Sequence, residues 1–211
     1  MLELLLDFPS QCRYAFGIAG CAKIAFEKRD FKNIVFAGLG GSAIGADLVK
    51  SYLYFESKLP IAVAREYELP AYVDSSTLVF ISSYSGNTEE TLSAYSQAKE
   101  KGAYIIAFSS GGKLKEYAPK DKITFIEIPK GLPPRVALGY SSIVPLCILA
   151  RLGLIKGVDA SIKEMIRTLE ELRDKSLKAT IGKQDNIAKY FAQKLLNKLT
   201  FIYSSSVHFD A

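Results

Sequence analysis

Ile34-Val35-Phe36-Ala37-Gly38-Leu39-Gly40-Gly41-Ser42 runs from an unbroken apolar stretch into a loop of small residues, and that junction decides the fold. An apolar run without polar alternation is the pattern of a strand buried on both faces, as in a parallel sheet covered by helices. A second junction of the same kind takes Leu78-Val79-Phe80-Ile81 into Ser83-Tyr84-Ser85-Gly86-Asn87-Thr88. Both loops are placed at the carboxyl end of a strand, the edge at which open α/β sheets bind their ligands. Small residues let the backbone approach closely, and the amides of a helix start face an anion with partial positive charge. Together the loops read as a phosphate cradle, so a phosphorylated small molecule is the ligand they imply.

Along the chain, apolar runs at Ile34, Ile61, Leu78, Tyr104 and Ile123 alternate with helix-length segments or short turns, the signature of βαβ units. Helices are predicted over 41–54, 88–101 and 112–118, the last closed by Pro119. A five-stranded parallel sheet follows, with right-handed crossovers and a flavodoxin-like strand order in a three-layer αβα sandwich. The apolar stretch from Ala137 to Leu154 contains Ser141, Ser142, Pro145 and Arg151, so it reads as a buried helix rather than a membrane span. Beyond Gly157, Ile162, Met165, Ile166, Leu169 and Leu172 recur at helical spacing. A second amphipathic helix follows the Thr180-Ile181-Gly182 break, with Ile187, Phe191 and Leu195 on one stripe. Both are expected to be packing surfaces and not membrane anchors. Thr200-Phe201-Ile202-Tyr203 reads as one more strand, opening a unit that the remaining residues do not continue. The organisation expected is a ligand-binding domain over 1–153, a helical packing segment over 154–199, and the start of a truncated second domain over 200–211.

Composition narrows the function classes. In 211 residues, 49% apolar content is ample for a core. The net charge of +5 suits anionic ligands, but Lys and Arg are interspersed with acids, which argues against nucleic acid as a partner. Cys12, Cys21 and Cys147 form no CxxC pair, and Cys12 and Cys21 face opposite sides of one helix. Buried or idle thiols in a reducing cytoplasm are expected. The start Met1-Leu2-Glu3-Leu4-Leu5-Leu6-Asp7 is too short and acidic for a signal peptide.

In the second loop Ser83, Ser85 and Thr88 offer hydroxyl donors, while Asn87 or Thr88 can cap the helix whose first turn carries Glu89 and Glu90. Those acids are expected to point away from a bound anion. The bland alternative is a well-capped turn. The first loop also fits the dinucleotide pattern G-x-G-x-x-A through Ala43, with Glu66 as the acid closing the second strand. That keeps a nicotinamide-dependent enzyme open as an alternative. No Lys follows the glycines in GK[ST] fashion, which argues against a nucleotide triphosphatase. A third motif is Gly131-Leu132-Pro133-Pro134-Arg135. Its prolines fix an extended approach, Pro134 can open the long helix, and Arg135 is held at a helix start. A cation there is disfavoured by the helix dipole unless an anion is near, or unless Arg135 sits in a surface salt bridge.

GLGGSAIGAD, SYSGNTEET and KGLPPRVALGYS, in this order and spacing, resemble the bifunctional phosphoglucose/phosphomannose isomerases, a branch of the sugar isomerase (SIS) domain superfamily. The resemblance covers about residues 1 to 205. It implies reversible, metal-independent and cofactor-free interconversion of glucose 6-phosphate or mannose 6-phosphate with fructose 6-phosphate. By that resemblance Gly41, Ser42, Ser83, Ser85 and Thr88 hold the sugar phosphate, and Gly40 and Asn87 belong with them in the same loops. Arg135 is the catalytic residue, steadying the enediolate oxygen that develops as a proton moves between C1 and C2. The resemblance also places a base glutamate, a ring-opening histidine and a lysine in a second SIS domain, of which Phe201 to Ser206 resembles only the first strand. His208, the single histidine, lies in a short tail and is not expected to be catalytic; neither Glu66 nor Glu127 can be assigned as the base from the sequence. A sugar-phosphate sensor that binds without turnover is the alternative from another class, and a homodimer is expected.

Overall fold

The computed structural model describes residues 1–27 and 29–204. Five strands, β1 (Asn33–Gly38), β2 (Ile61–Ala64), β3 (Thr77–Ser82), β4 (Tyr104–Ser109) and β5 (Thr124–Glu127), form one sheet in the order β2-β1-β3-β4-β5. All four pairings are parallel. This is the flavodoxin-like order, and its direction reverses between β1 and β3, which opens a crevice at their carboxyl ends. Gly38 is in register with Ser82, and Ser82 with Phe108, so the loops leaving β1, β3 and β4 stand side by side on one edge.

The apolar strands are continuous because both faces are covered, and alternate residues serve two cores. Ile34, Phe36, Leu78, Phe80, Ile106 and Phe108 pack on α2 (Phe8–Cys21), α3 (Gly41–Tyr52) and α6 (Leu138–Arg151). Phe36 and Phe80 stack there with ring centroids 4.8 Å apart. Val35, Val79, Ile81, Ile105 and Ala107 face Ala94, Tyr95 and Ala98 of α4 (Glu89–Glu100) and Leu114 of α5 (Gly112–Lys120). Burying a Phe, Leu or Ile side chain contributes about 1.5 to 3 kcal/mol each, so these two layers dominate stability. The three-layer sandwich is the architecture the sequence implies. A short α1 (Leu2–Leu6) precedes α2.

Cys12 is buried and Cys21 exposed, on opposite sides of α2. α7 (Val158–Glu171) adds Val158, Ile162 and Ile166 to the first core and passes into a π-helical turn at Leu172–Ser176. α8 (Ile187–Leu195) buries none of its residues. Its start is fixed by Asn186, whose Oδ1 accepts the Lys189 N–H at 3.2 Å, and its stripe of Ile187, Phe191 and Leu195 remains exposed. No helix among the described residues is long and apolar enough to cross a membrane.

Three local expectations are corrected. α5 runs through Pro119 to Lys120, since a proline in the last turn removes only one amide bond and the turn closes through Asp121 N–H to Tyr117 O at 3.0 Å. Pro134 opens not α6 but a separate 3-10 turn, Pro134–Val136, and α6 begins at Leu138. Thr200 to Tyr203 is not a strand: Phe201, Ile202 and Tyr203 are exposed and have no pairing partner among the described residues, and β structure requires a neighbouring chain to close its hydrogen bonds. His208 and the rest of 205–211 lie outside the described residues.

Candidate functional site

The first loop turns β1 into α3. Gly40 has φ of +55°, a left-handed conformation that glycine adopts without the penalty other residues meet. Its carbonyl then accepts from the Ala43 and Ile44 amides at 3.1 and 3.0 Å, starting α3 with Gly40 and Gly41 at its open end. A Cβ on Gly41 would lie 2.6 Å from the Pro134 oxygen and 3.2 Å from the Arg135 Cα. The first loop and the third motif therefore touch backbone to backbone, although Gly41 and Pro134 are 93 positions apart in the chain. One helix turn further, a Cβ on Gly45 would sit 2.5 Å from the Ser141 Cβ, so α3 and α6 cross closely and keep this contact rigid.

The second loop is built around Ser83, which is buried at 2% exposure. Its Oγ accepts the Gly86 N–H at 3.1 Å and shares a 2.8 Å hydrogen bond with the Thr88 hydroxyl. Ser85 is exposed and its Oγ accepts the Asn87 N–H at 3.2 Å. Neither Asn87 nor Thr88 caps α4 through its side chain, contrary to expectation. The Thr88 hydroxyl is turned to Ser83, and the Asn87 Oδ1 accepts the Lys113 N–H at 3.0 Å, so it caps α5 instead. The amides of Glu89, Glu90 and Thr91 meet no acceptor among the described residues, leaving the positive end of α4 open. Glu89 is exposed, and its carboxylate is turned toward the Tyr67 hydroxyl at 3.4 Å.

Gly40, Gly41, Ser42, Ser83, Ser85, Asn87 and Thr88 thus stand at the carboxyl ends of the neighbouring strands β1 and β3, with Arg135 against the first of the two loops. Arg135 is exposed, with no ion pair among the described residues, so the surface salt bridge weighed from the sequence is not formed there. A narrow cleft of about 10 Å³ between the motifs is lined by Gly41, Ser42, Ser82, Tyr84, Pro134 and Ser141 among others. That is room for about one water, so a sugar would lie above the crevice. A surface cavity of about 520 Å³ is lined by Tyr95, Lys99, Tyr117 and Asp121, away from all three motifs. Its size does not bear on them.

Glu66 is exposed two residues past β2. Glu127 ends β5 with its carboxylate 2.6 and 2.8 Å from the Lys115 ammonium. That hydrogen bond, more than any other influence, holds its pKa below the usual carboxylate value, which makes it a weak base.

Two residues that sequence reasoning passed over hold the third motif in place. The Tyr84 hydroxyl donates to Pro129 O at 2.9 Å and accepts the Leu132 N–H at 2.8 Å. Gln11, on α2 and 6% exposed, donates to Val136 O at 2.9 Å and accepts the Gly139 N–H at 2.7 Å. A glutamine within an otherwise apolar helical face was the available signal for the second; nothing local marked Tyr84.

Residues 29–127 match the family described as SIS domain. That match takes in 99 of the chain's 211 residues. The chain is 48% identical over 206 residues to a bifunctional phosphoglucose/phosphomannose isomerase of Caldicellulosiruptor bescii, covering 98% of the chain and 60% of that protein. It is 34% identical over 183 residues to the protein of that name from Aquifex aeolicus, covering 86% and 53%. The chain thus spans little more than half the length of the curated relatives it matches. Among solved structures, a hypothetical protein from Thermus thermophilus superposes with a TM-score of 0.64 at 20% identity, covering 91% of this chain and 47% of that one. That last likeness speaks for the fold alone.

Proposed function

We propose that this chain binds a sugar 6-phosphate and forms the substrate-binding half of a metal-independent aldose–ketose isomerase. Its substrates are glucose 6-phosphate or mannose 6-phosphate, interconverted with fructose 6-phosphate. The observation that carries the reading is the meeting of three motifs, distant in sequence, at one crevice: Gly38 in register with Ser82, and Gly41 packed on Pro134 and Arg135.

On this reading the phosphate dianion rests on the open amides of α4 and the Ser85 and Thr88 hydroxyls, with Gly40, Gly41 and Ser42 on its other side. Asn87 belongs to the site through its cap on α5. The sugar extends over the crevice toward Arg135. As a proton leaves one of C1 and C2 for the other, negative charge gathers on the substrate oxygens, and the fixed guanidinium stabilises that charge more than it stabilises the neutral sugar. On this reading the acid and base that move the proton lie outside this site, in the second SIS domain that the sequence resemblance implies. We also place the protein in the cytoplasm as a homodimer. The apolar groove of about 360 Å³ lined by Leu48, Tyr52, Leu146, Ile162 and Met165 is the surface we assign to the second copy, to be checked by light scattering.

The test is calorimetric titration with fructose 6-phosphate beside a coupled assay for its conversion to glucose 6-phosphate. Binding with turnover supports the isomerase, and binding without turnover favours a sensing module. No binding of fructose 6-phosphate, together with tight binding of NAD, would replace the reading with a nicotinamide enzyme.

A further inference from the structure

Arg135 is exposed and stands on a three-residue 3-10 turn between a proline pair and the first turn of α6. Such a turn has few internal hydrogen bonds with which to fix its own position. Within it the described bonds are Val136 N–H to Pro133 O at 2.9 Å and Ala137 N–H to Pro134 O at 3.2 Å. α6 has no side-chain cap of its own, since Ala137 occupies the cap position.

The missing partners come from two distant elements. Gln11 reaches from α2 and spans the turn, its Nε2 on Val136 O and its Oε1 on the Gly139 N–H; it thereby serves as the cap that α6 lacks. From the other side the Tyr84 hydroxyl grips the approach to the prolines at Pro129 O and Leu132 N–H. Tyr84 is itself fixed at both ends, because its carbonyl accepts the Ser110 N–H at 2.9 Å and the Ser110 hydroxyl at 2.8 Å. Each side chain makes one donated and one accepted bond, a pairing that a shape-preserving apolar substitute cannot reproduce.

We infer that Gln11 and Tyr84 are positioning residues that clamp the 129–139 segment from opposite sides and so set the Arg135 guanidinium over the sugar-phosphate crevice. This rests on the reading of the site as a sugar-phosphate site. Because Tyr84 lies inside the second loop, the clamp also fixes the distance between phosphate and guanidinium, the quantity that positioning of a transition-state charge requires.

The experiment compares Tyr84→Phe, Gln11→Met, Arg135→Gln and the two double variants with Arg135→Gln, all in the full chain. Affinities for fructose 6-phosphate and for inorganic phosphate are measured by calorimetry, and folding by circular dichroism. Each clamp variant is expected to weaken fructose 6-phosphate binding about five- to tenfold, the scale of one or two misplaced hydrogen bonds, while inorganic phosphate binding changes less than about twofold. In the Arg135→Gln background the same substitutions are expected to cost less than about twofold, the non-additivity of residues acting through one group. Additive losses, or equal losses for inorganic phosphate, would overturn the inference and reduce both residues to general scaffolding. If Gln11→Met fails to fold, Tyr84→Phe decides alone. No binding of either ligand by the unsubstituted chain would instead overturn the functional reading beneath it.

Discussion

Gly86→Ala offers a demanding check on the built site, because it perturbs the second loop without removing any polar group. Gly86 has φ of +70°, a region that costs an L-residue about 1 to 2 kcal/mol. The added methyl would also collide with the carbonyl oxygen of Gly111 and lie 2.8 Å from its carbon. Both are backbone atoms at the start of α5, so no side-chain rotation relieves the overlap; overpacking of this kind adds about 1 to 3 kcal/mol. The sum is about 3 kcal/mol, which for a chain of 150–250 residues lowers the melting temperature by about 6 to 12 °C. A thermal melt followed by circular dichroism reads this directly, and calorimetry with inorganic phosphate should show weakened binding, because the α4 start moves with the loop. Gly17→Ala is the matched control. It lies exposed in the middle of α2 with nothing within 4 Å of the new methyl, and should raise stability by about 0.5 to 1 kcal/mol. If Gly86→Ala melted within about 2 °C of the parent, a shift below 1 kcal/mol at this size, the close apposition of the β3 and β4 loops, and the site derived from it, would be wrong.

Other outcomes follow from the same geometry. Ser85→Ala combined with Thr88→Ala is expected to weaken sugar-phosphate affinity by about 1 to 3 kcal/mol, the range for hydrogen bonds to a charged group; unchanged affinity would take those hydroxyls out of the site. Burial pushes the thiols of Cys12 and Cys147 up to about 12 while Cys21 is exposed, so a disulfide reagent at pH 8 should find one fast thiol that Cys21→Ser abolishes. Fast modification of a second thiol in the native protein would contradict the packing of α2 and α6. The Lys99 ammonium, hydrogen-bonded at 2.5 Å, and next the Tyr95 hydroxyl hold the Asp121 carboxyl below its ordinary value. A depressed carboxylate contributes stability that is present above about pH 4 and lost as pH falls through the folded pKa. Lys99→Met should accordingly lower the urea midpoint at pH 6 and have less effect at pH 3, whereas an equal drop at both would show that the pair is not the cause.

Periodicity and punctuation were legible in the residues alone. Ile34 to Ala37 and Leu78 to Ile81 lack polar alternation, and that is sufficient to bury a strand on two faces; the small-residue loops after them end those strands wherever they lie. Local chemistry also placed the amphipathic α7, because Ile162 and Ile166 share a helical stripe whatever they pack against. It did not determine partners. Asn87 was equally able to cap α4 or α5, and only the approach of the Gly112 turn chose α5. Pro134 could have opened α6, but it opens a separate 3-10 turn that Gln11 spans from α2, and α6 begins at Leu138. Thr200 to Tyr203 has strand composition without a described strand beside it, and a ladder needs two chains of backbone. Hydrophobic pattern acts over a few residues, while the hydrogen bonds that hold the Arg135 turn close over 45 to 128 residues, from Tyr84 to Pro129 and from Gln11 to Gly139, and such pairings exist only once the sheet has brought their ends together.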